Sequence, residues 1–95
     1  MRVMLIAHMS TEVSNAGVRD GRMGELLQRT MQQLKPEAAY FGPHDGGRTA
    51  FVVFDLEDVS QIPAVSEPFF QELGARVDII PVMTAEDVAR GLAAM

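Results

Sequence analysis

Four stretches of the chain are apolar at nearly every position: Val3–Met9, Ala38–Phe41, Ala50–Leu56 and Val77–Met83. A strand covered on one face alternates apolar and polar residues, whereas a strand covered on both faces reads as a continuous apolar run. These stretches therefore predict four strands with grease front and back. Two segments of helical spacing lie between them. Met23, Leu26, Leu27, Thr30, Met31 and Leu34 form one stripe; Ile62, Val65, Phe69, Phe70 and Leu73 form the other. The order strand–helix–strand–strand–helix–strand is that of an α+β, ferredoxin-like βαββαβ unit with a four-stranded antiparallel sheet. Both helices then cover the same side of the sheet. The most economical cover for the other side is a second copy, giving a homodimer through the open sheet face, a dimeric α/β barrel.

Local signals set the boundaries. The first strand is expected at Arg2–Met9, and Ser10, Thr11, Ser14 and Asn15 each offer a helix N-cap. Gly17, Gly21 and Gly24 weaken the first half of the helical segment, so the regular helix is expected to begin near Asp20 and to end at Lys35-Pro36. Asp45-Gly46-Gly47 predicts a hairpin turn between strands at Ala38–Gly42 and Arg48–Leu56. Asp58 or Ser60 caps the second helix, Pro68 is expected to kink it or delay its start, and Gly74 stops it. A fourth strand is expected at Arg76–Met83. Thr84 with Asp87 three residues on resembles a capping box and predicts an extra C-terminal helix carrying Val88 and Leu92.

Composition narrows the functional classes. The 95 residues suffice for one domain, residues 1–95, burying roughly 65% of the unfolded surface. The net charge of −5 argues against a nucleic-acid or anionic-membrane footprint. The chain has no cysteine, which excludes disulfides, thiolate metal sites and thiol nucleophiles. The N-terminus enters a strand at once, without a small-residue cleavage site, and reads as structure rather than signal peptide. A cytoplasmic protein with no membrane span is the expectation.

Strand direction brings polar groups to one end of the sheet. In the expected topology, the C-terminal ends of the first two strands share an edge with the N-terminal ends of the last two. His8, His44, Arg48 and Arg76 fall there, beside the Ser10–Asn15 loop and Glu72. A few orienting polar groups around an apolar, methionine-rich interior suit a small-molecule pocket. The same arginines suit the polar first residues of strands, and His44 suits a turn. His8 shares a strand face with Met4 and Ile6, so its imidazole fits a general base or a group that orients a carbonyl, the alternative being a core histidine whose nitrogens bond the backbone or a hydroxyl. Tyr40 suits ligand steering or an amphipathic position at a dimer seam. Glu67, beside Pro68, Phe69 and Phe70, suits an acid or base against aromatic rings, or a solvated residue at a kink. The candidate set is thus His8 and Glu67 as catalytic groups, with Tyr40, His44, Arg48, Phe70 and Arg76 as ligand contacts. Two histidines far apart in sequence make a weak metal case, and a metal-binding stress protein would rest only on His8, His44 and nearby acids; Gly17–Gly24 matches no phosphate-loop pattern, and no cofactor is implied.

The runs Lys35-Pro36-Glu37-Ala38-Ala39-Tyr40-Phe41-Gly42-Pro43, Arg48-Thr49-Ala50, Val53-Phe54-Asp55, Glu67-Pro68-Phe69-Phe70 and Pro81-Val82-Met83 carry a resemblance. The whole chain is similar to the dimeric α/β-barrel superfamily, and within it to a family of small bacterial proteins sometimes labelled pantothenate synthetase. The chain has no His-x-Gly-His motif, which the enzyme of that name needs to bind ATP. It also has no tryptophan, which the haem-degrading members place in their pocket. The resemblance implies a homodimer with a cavity between sheet and helices. It also implies a small organic ligand, and cofactor-independent monooxygenase- or isomerase-like chemistry. The alternative is a non-catalytic dimeric interaction or regulatory module.

Overall fold

A computed structural model describes residues 1–95. The elements are β1 (Arg2–His8), α1 (Thr11–Asp20), α2 (Arg22–Leu34), β2 (Ala38–His44), β3 (Gly47–Asp55), a short 3₁₀ turn at Val59–Gln61, α3 (Ile62–Leu73), β4 (Arg76–Pro81) and α4 (Ala85–Ala93). The fold is α+β. The strands form one antiparallel sheet in the order β2-β3-β1-β4.

Register divides each strand into two faces. Val3, Leu5 and Ala7 stand opposite Phe54, Val52 and Ala50, and all six are buried. Leu26 of α2 and Val65, Phe69 and Leu73 of α3 close over them. Burying one of the valine, leucine or phenylalanine side chains contributes about 1.5–3 kcal/mol, so this layer dominates stability. On the other face, Met4 lies between Val53 and Ile80, and Ile6 between Phe51 and Asp78, with Tyr40 beyond Phe51. No helix covers this second layer. Tyr40 is 71% exposed and Ile80 43%. Within one chain the apolar runs of β1 and β3 are therefore buried on one face only, and the edge strands β2 and β4 have no buried residue on either face.

The expected weak start of the first helix is replaced by a full helix. Ser10 caps α1, its hydroxyl accepting from the Val13 amide. Gly17 allows close packing: a Cβ there would stand 3.1 Å from Leu73 Cδ2. Gly21, at φ 85°, ends α1 and begins α2. Tertiary contact thus outweighs the low helix propensity of the glycines. Pro68 lies inside α3 and does not delay its start; Pro63 occupies the first turn, where a missing amide hydrogen costs nothing. Phe70 and Ile62, expected in the core, are 44% and 36% exposed, because the buried stripe of α3 runs through Val65, Ser66, Phe69 and Leu73. The Thr84–Asp87 capping box opens α4, which keeps no residue buried.

Candidate functional site

The β2–β3 hairpin builds the polar end of the sheet. His44 pairs with Gly47, and the turn residues Asp45 and Gly46 both take left-handed conformations, at φ 53° and 74°. This is the two-residue geometry that Asp-Gly favours. Thr49 Oγ1 lies 3.2 Å from the His44 carbonyl and 3.1 Å from that of Gly47, pinning the turn from below. So held, Asp45 reaches across the end of β1. Its main-chain oxygen lies 3.1 Å from His8 Nε2, and its carboxylate accepts from Arg76 Nη2 at 3.0 Å.

His8, His44, Asp45 and Arg76 line a cleft of about 410 Å³ with Ile6 and Asp78, on the helix-free face. The carbonyl oxygen can only accept, so His8 donates from Nε2, and in the neutral ring Nδ1 is then the acceptor. The His44 ring meets Phe51 edge-on at 5.6 Å and extends the apolar sheet face towards the cleft. Arg76 donates to the Asp45 carboxylate, and that hydrogen bond holds Asp45 below the usual 3.8; the charges of Arg76, His8 and His44 act in the same direction. The arrangement offers two imidazoles, one guanidinium and two carboxylates, with Ile6 and Val77 as its apolar part.

The other candidates are not brought to this cleft. Arg48 has the same strand parity as Ala50 and Val52, so it faces the helices. Its Nη1 donates to Ser14 Oγ at 2.8 Å and Asn15 Oδ1 at 2.9 Å. Glu67 and Phe70 line a groove between α3 and β4, also on the helix side, so the sheet separates them from His8. Tyr40 is on the open face, but two positions along β2 from the row that holds His8. The expected cavity between sheet and helices is thus divided. His8, His44 and Arg76 lie outside it, because their strand positions alternate with those of the core. Glu72 binds Arg29 of α2 at 3.2 Å and takes no part. Asp45, read from the sequence only as a turn residue, turns out to connect His8 with Arg76.

No group of three His, Cys, Asp or Glu side chains is placed to hold a metal ion. No helix is long and apolar enough to cross a membrane. The model of one protein family, described as a domain of unknown function (DUF3303), matches residues 1–95. No curated protein and no solved structure matches the chain.

Proposed function

The chain belongs to the DUF3303 family, and we propose that it is a homodimeric binding protein for a small organic molecule, held at the His8 end of its open sheet face. The strand order supports a ferredoxin-like unit, and the uncovered layer of Met4, Ile6, Phe51, Val53, Tyr40 and Ile80 supports pairing of two such sheets into a dimeric α/β barrel. Pairing turns the cleft from a surface feature into a partly enclosed, drier site, where an imidazole and a guanidinium act more strongly than in water.

One observation carries the reading. His8 spends Nε2 on the Asp45 carbonyl and makes no hydrogen bond through Nδ1 within the chain, in a cleft that also holds Arg76, Asp78 and the apolar Ile6 and Val77. That is the placement of a base able to take a proton from an acidic C–H or O–H, beside a guanidinium whose charge is shared with Asp45. The chemistry is of the cofactor-independent, monooxygenase- or isomerase-like kind, with the protein supplying shape, dryness and a base.

A thermal-shift screen of the wild type against small phenols, enols and aromatic acids tests this, since a ligand of the folded state alone raises the melting temperature. At least one compound stabilises the wild type, and His8→Ala and Arg76→Ala each lose that response. Identical responses in all three proteins place the ligand elsewhere and end the reading.

A non-catalytic interaction module is the second reading, and α4 favours it. Leu92 and Val88 are 64% and 39% exposed on a helix that buries nothing in its own chain. A wild type that answers to no compound in the screen leaves this reading in place.

A further inference from the structure

We infer that a second ligand site lies on the opposite, helix-covered side of the β2–β3 hairpin, built for a monocarboxylate with an apolar body. The pocket there has a volume of about 310 Å³ and runs between α2 and the hairpin. Met9, Met23, Leu27, Phe41 and Pro43 form its walls, and Arg48 is its one charged residue.

The guanidinium is anchored but not neutralised. Its Nη1 donates to Ser14 Oγ and Asn15 Oδ1, both uncharged acceptors. Arg48 belongs to none of the ion pairs of the protein. Its Nε and Nη2 have no acceptor within the chain. Since no buried side-chain nitrogen or oxygen lacks a partner, these two atoms are open to solvent. Nε–H and Nη2–H lie on the same edge of the guanidinium and point in parallel, the fork that matches the two oxygens of a carboxylate. The remaining edge is the one fixed to α1, so the fork is oriented before any ligand arrives.

The walls choose the rest of the ligand. Methionine and leucine side chains accept an alkyl chain or a ring with little loss of fit. A doubly charged phosphate would meet a single guanidinium in a protein of net charge −5, whereas a carboxylate is balanced by that one cation.

Calorimetric titration with sodium octanoate and with octan-1-ol tests the inference. Octanoate binds, and the alcohol of the same length binds at least about tenfold more weakly, because it cannot fill the fork. Arg48→Met weakens octanoate by a similar factor, and Arg48→Lys, which keeps the charge without the fork, falls between. Arg48→Met also cuts the ties to Ser14 and Asn15. Leu27→Trp therefore provides an independent check: it fills the pocket with those ties intact and abolishes octanoate binding, and Met23→Phe replaces it if it fails to fold. His8→Ala and Arg76→Ala leave octanoate binding unchanged, so this site and the open-face cleft stand or fall separately. Equal binding of acid and alcohol, full binding by Leu27→Trp, or no octanoate binding at millimolar concentration overturns the proposal.

Discussion

The His8 imidazole and the main-chain carbonyl of Asp45 are joined by a 3.1 Å hydrogen bond between the end of β1 and the β2–β3 turn. It fixes the tautomer of the ring and presses the ring against Gly47. A Cβ at Gly47 would stand 2.9 Å from His8 Nε2 and 3.0 Å from Cε1. Any Cβ at position 47 would therefore contend with the His8 ring for space.

Gly47→Ala accordingly displaces the imidazole and breaks its bond to Asp45. The expected cost is about 1 kcal/mol, the net worth of one hydrogen bond. In a His8→Ala background the obstacle is gone and the same substitution costs close to nothing. Denaturant unfolding of the two single variants and the double variant measures this coupling. Additive effects show that the ring and the glycine do not contend for the same space.

Asp45 gives a pH signature. Its carboxyl titrates below the usual 3.8, first because Arg76 donates a hydrogen bond to it, then because of the charges of Arg76, His8 and His44. Asp20, Asp58 and Asp87 are lowered in the same direction by hydrogen bonds from Arg22, Ser60 and Thr84. A carboxylate depressed on folding contributes stability above its unfolded value, and that contribution disappears as the pH falls through the folded value. Stability therefore declines as the pH drops below 3.8, the value these groups return to on unfolding. Arg76→Ala moves the Asp45 titration back towards 3.8, followed by carboxyl NMR. Both partners are largely exposed, so stability at neutral pH barely changes. An unmoved Asp45 titration excludes Arg76 as its cause.

Lys35 ends α2 in a left-handed conformation at φ 45°, its amide donating to the Met31 carbonyl. Only glycine adopts that conformation without a Cβ penalty. Lys35→Gly stabilises the protein by several tenths of a kcal/mol, up to about 1 kcal/mol, although it removes a charge and loosens the unfolded chain. A fall in melting temperature contradicts this account of the cap.

Much of this architecture is legible in the residues, and the places where reading fails share a cause. The apolar runs locate all four strands, and Asp45-Gly46 locates the hairpin, because these signals are local. The helix at Thr11–Asp20 is hidden because Gly17 looks like a breaker until Leu73, distant in sequence, is known to lie against it. His8, His44 and Arg76 can be placed at one end of the sheet from strand direction alone. Their face needs register. Arg48 carried the necessary signal, for it shares parity with the core residues Ala50, Val52 and Phe54, while His8 shares parity with Met4 and Ile6. Phe70 shows the same limit on a helix, since one step from the fully buried Phe69 turns a side chain about 100° away. The Asp45 strap could not be foreseen, because it depends on a turn reaching past β3 and β1 to a residue of β4.

The open sheet face supplies the remaining prediction. Phe51 is half-buried there, between Tyr40 and Ile6, and no helix lies over it. A charge at this position of an isolated chain still reaches water, so Phe51→Glu costs a folded monomer little beyond the lost contacts with its neighbours. In a pair of sheets joined through this face, the same carboxylate enters an apolar seam without a partner, at a cost of several kcal/mol. Sedimentation at micromolar concentration is expected to show the wild type as a dimer and Phe51→Glu as a monomer with an unchanged far-ultraviolet circular dichroism spectrum. Phe69→Ala is the control from the opposite face. It opens a cavity in the core and lowers stability by about 3–5 kcal/mol, with no direct contact to the seam. If the wild type sediments as a monomer, the uncovered layer has some other partner, and the His8 cleft must then work without the enclosure that a second copy provides.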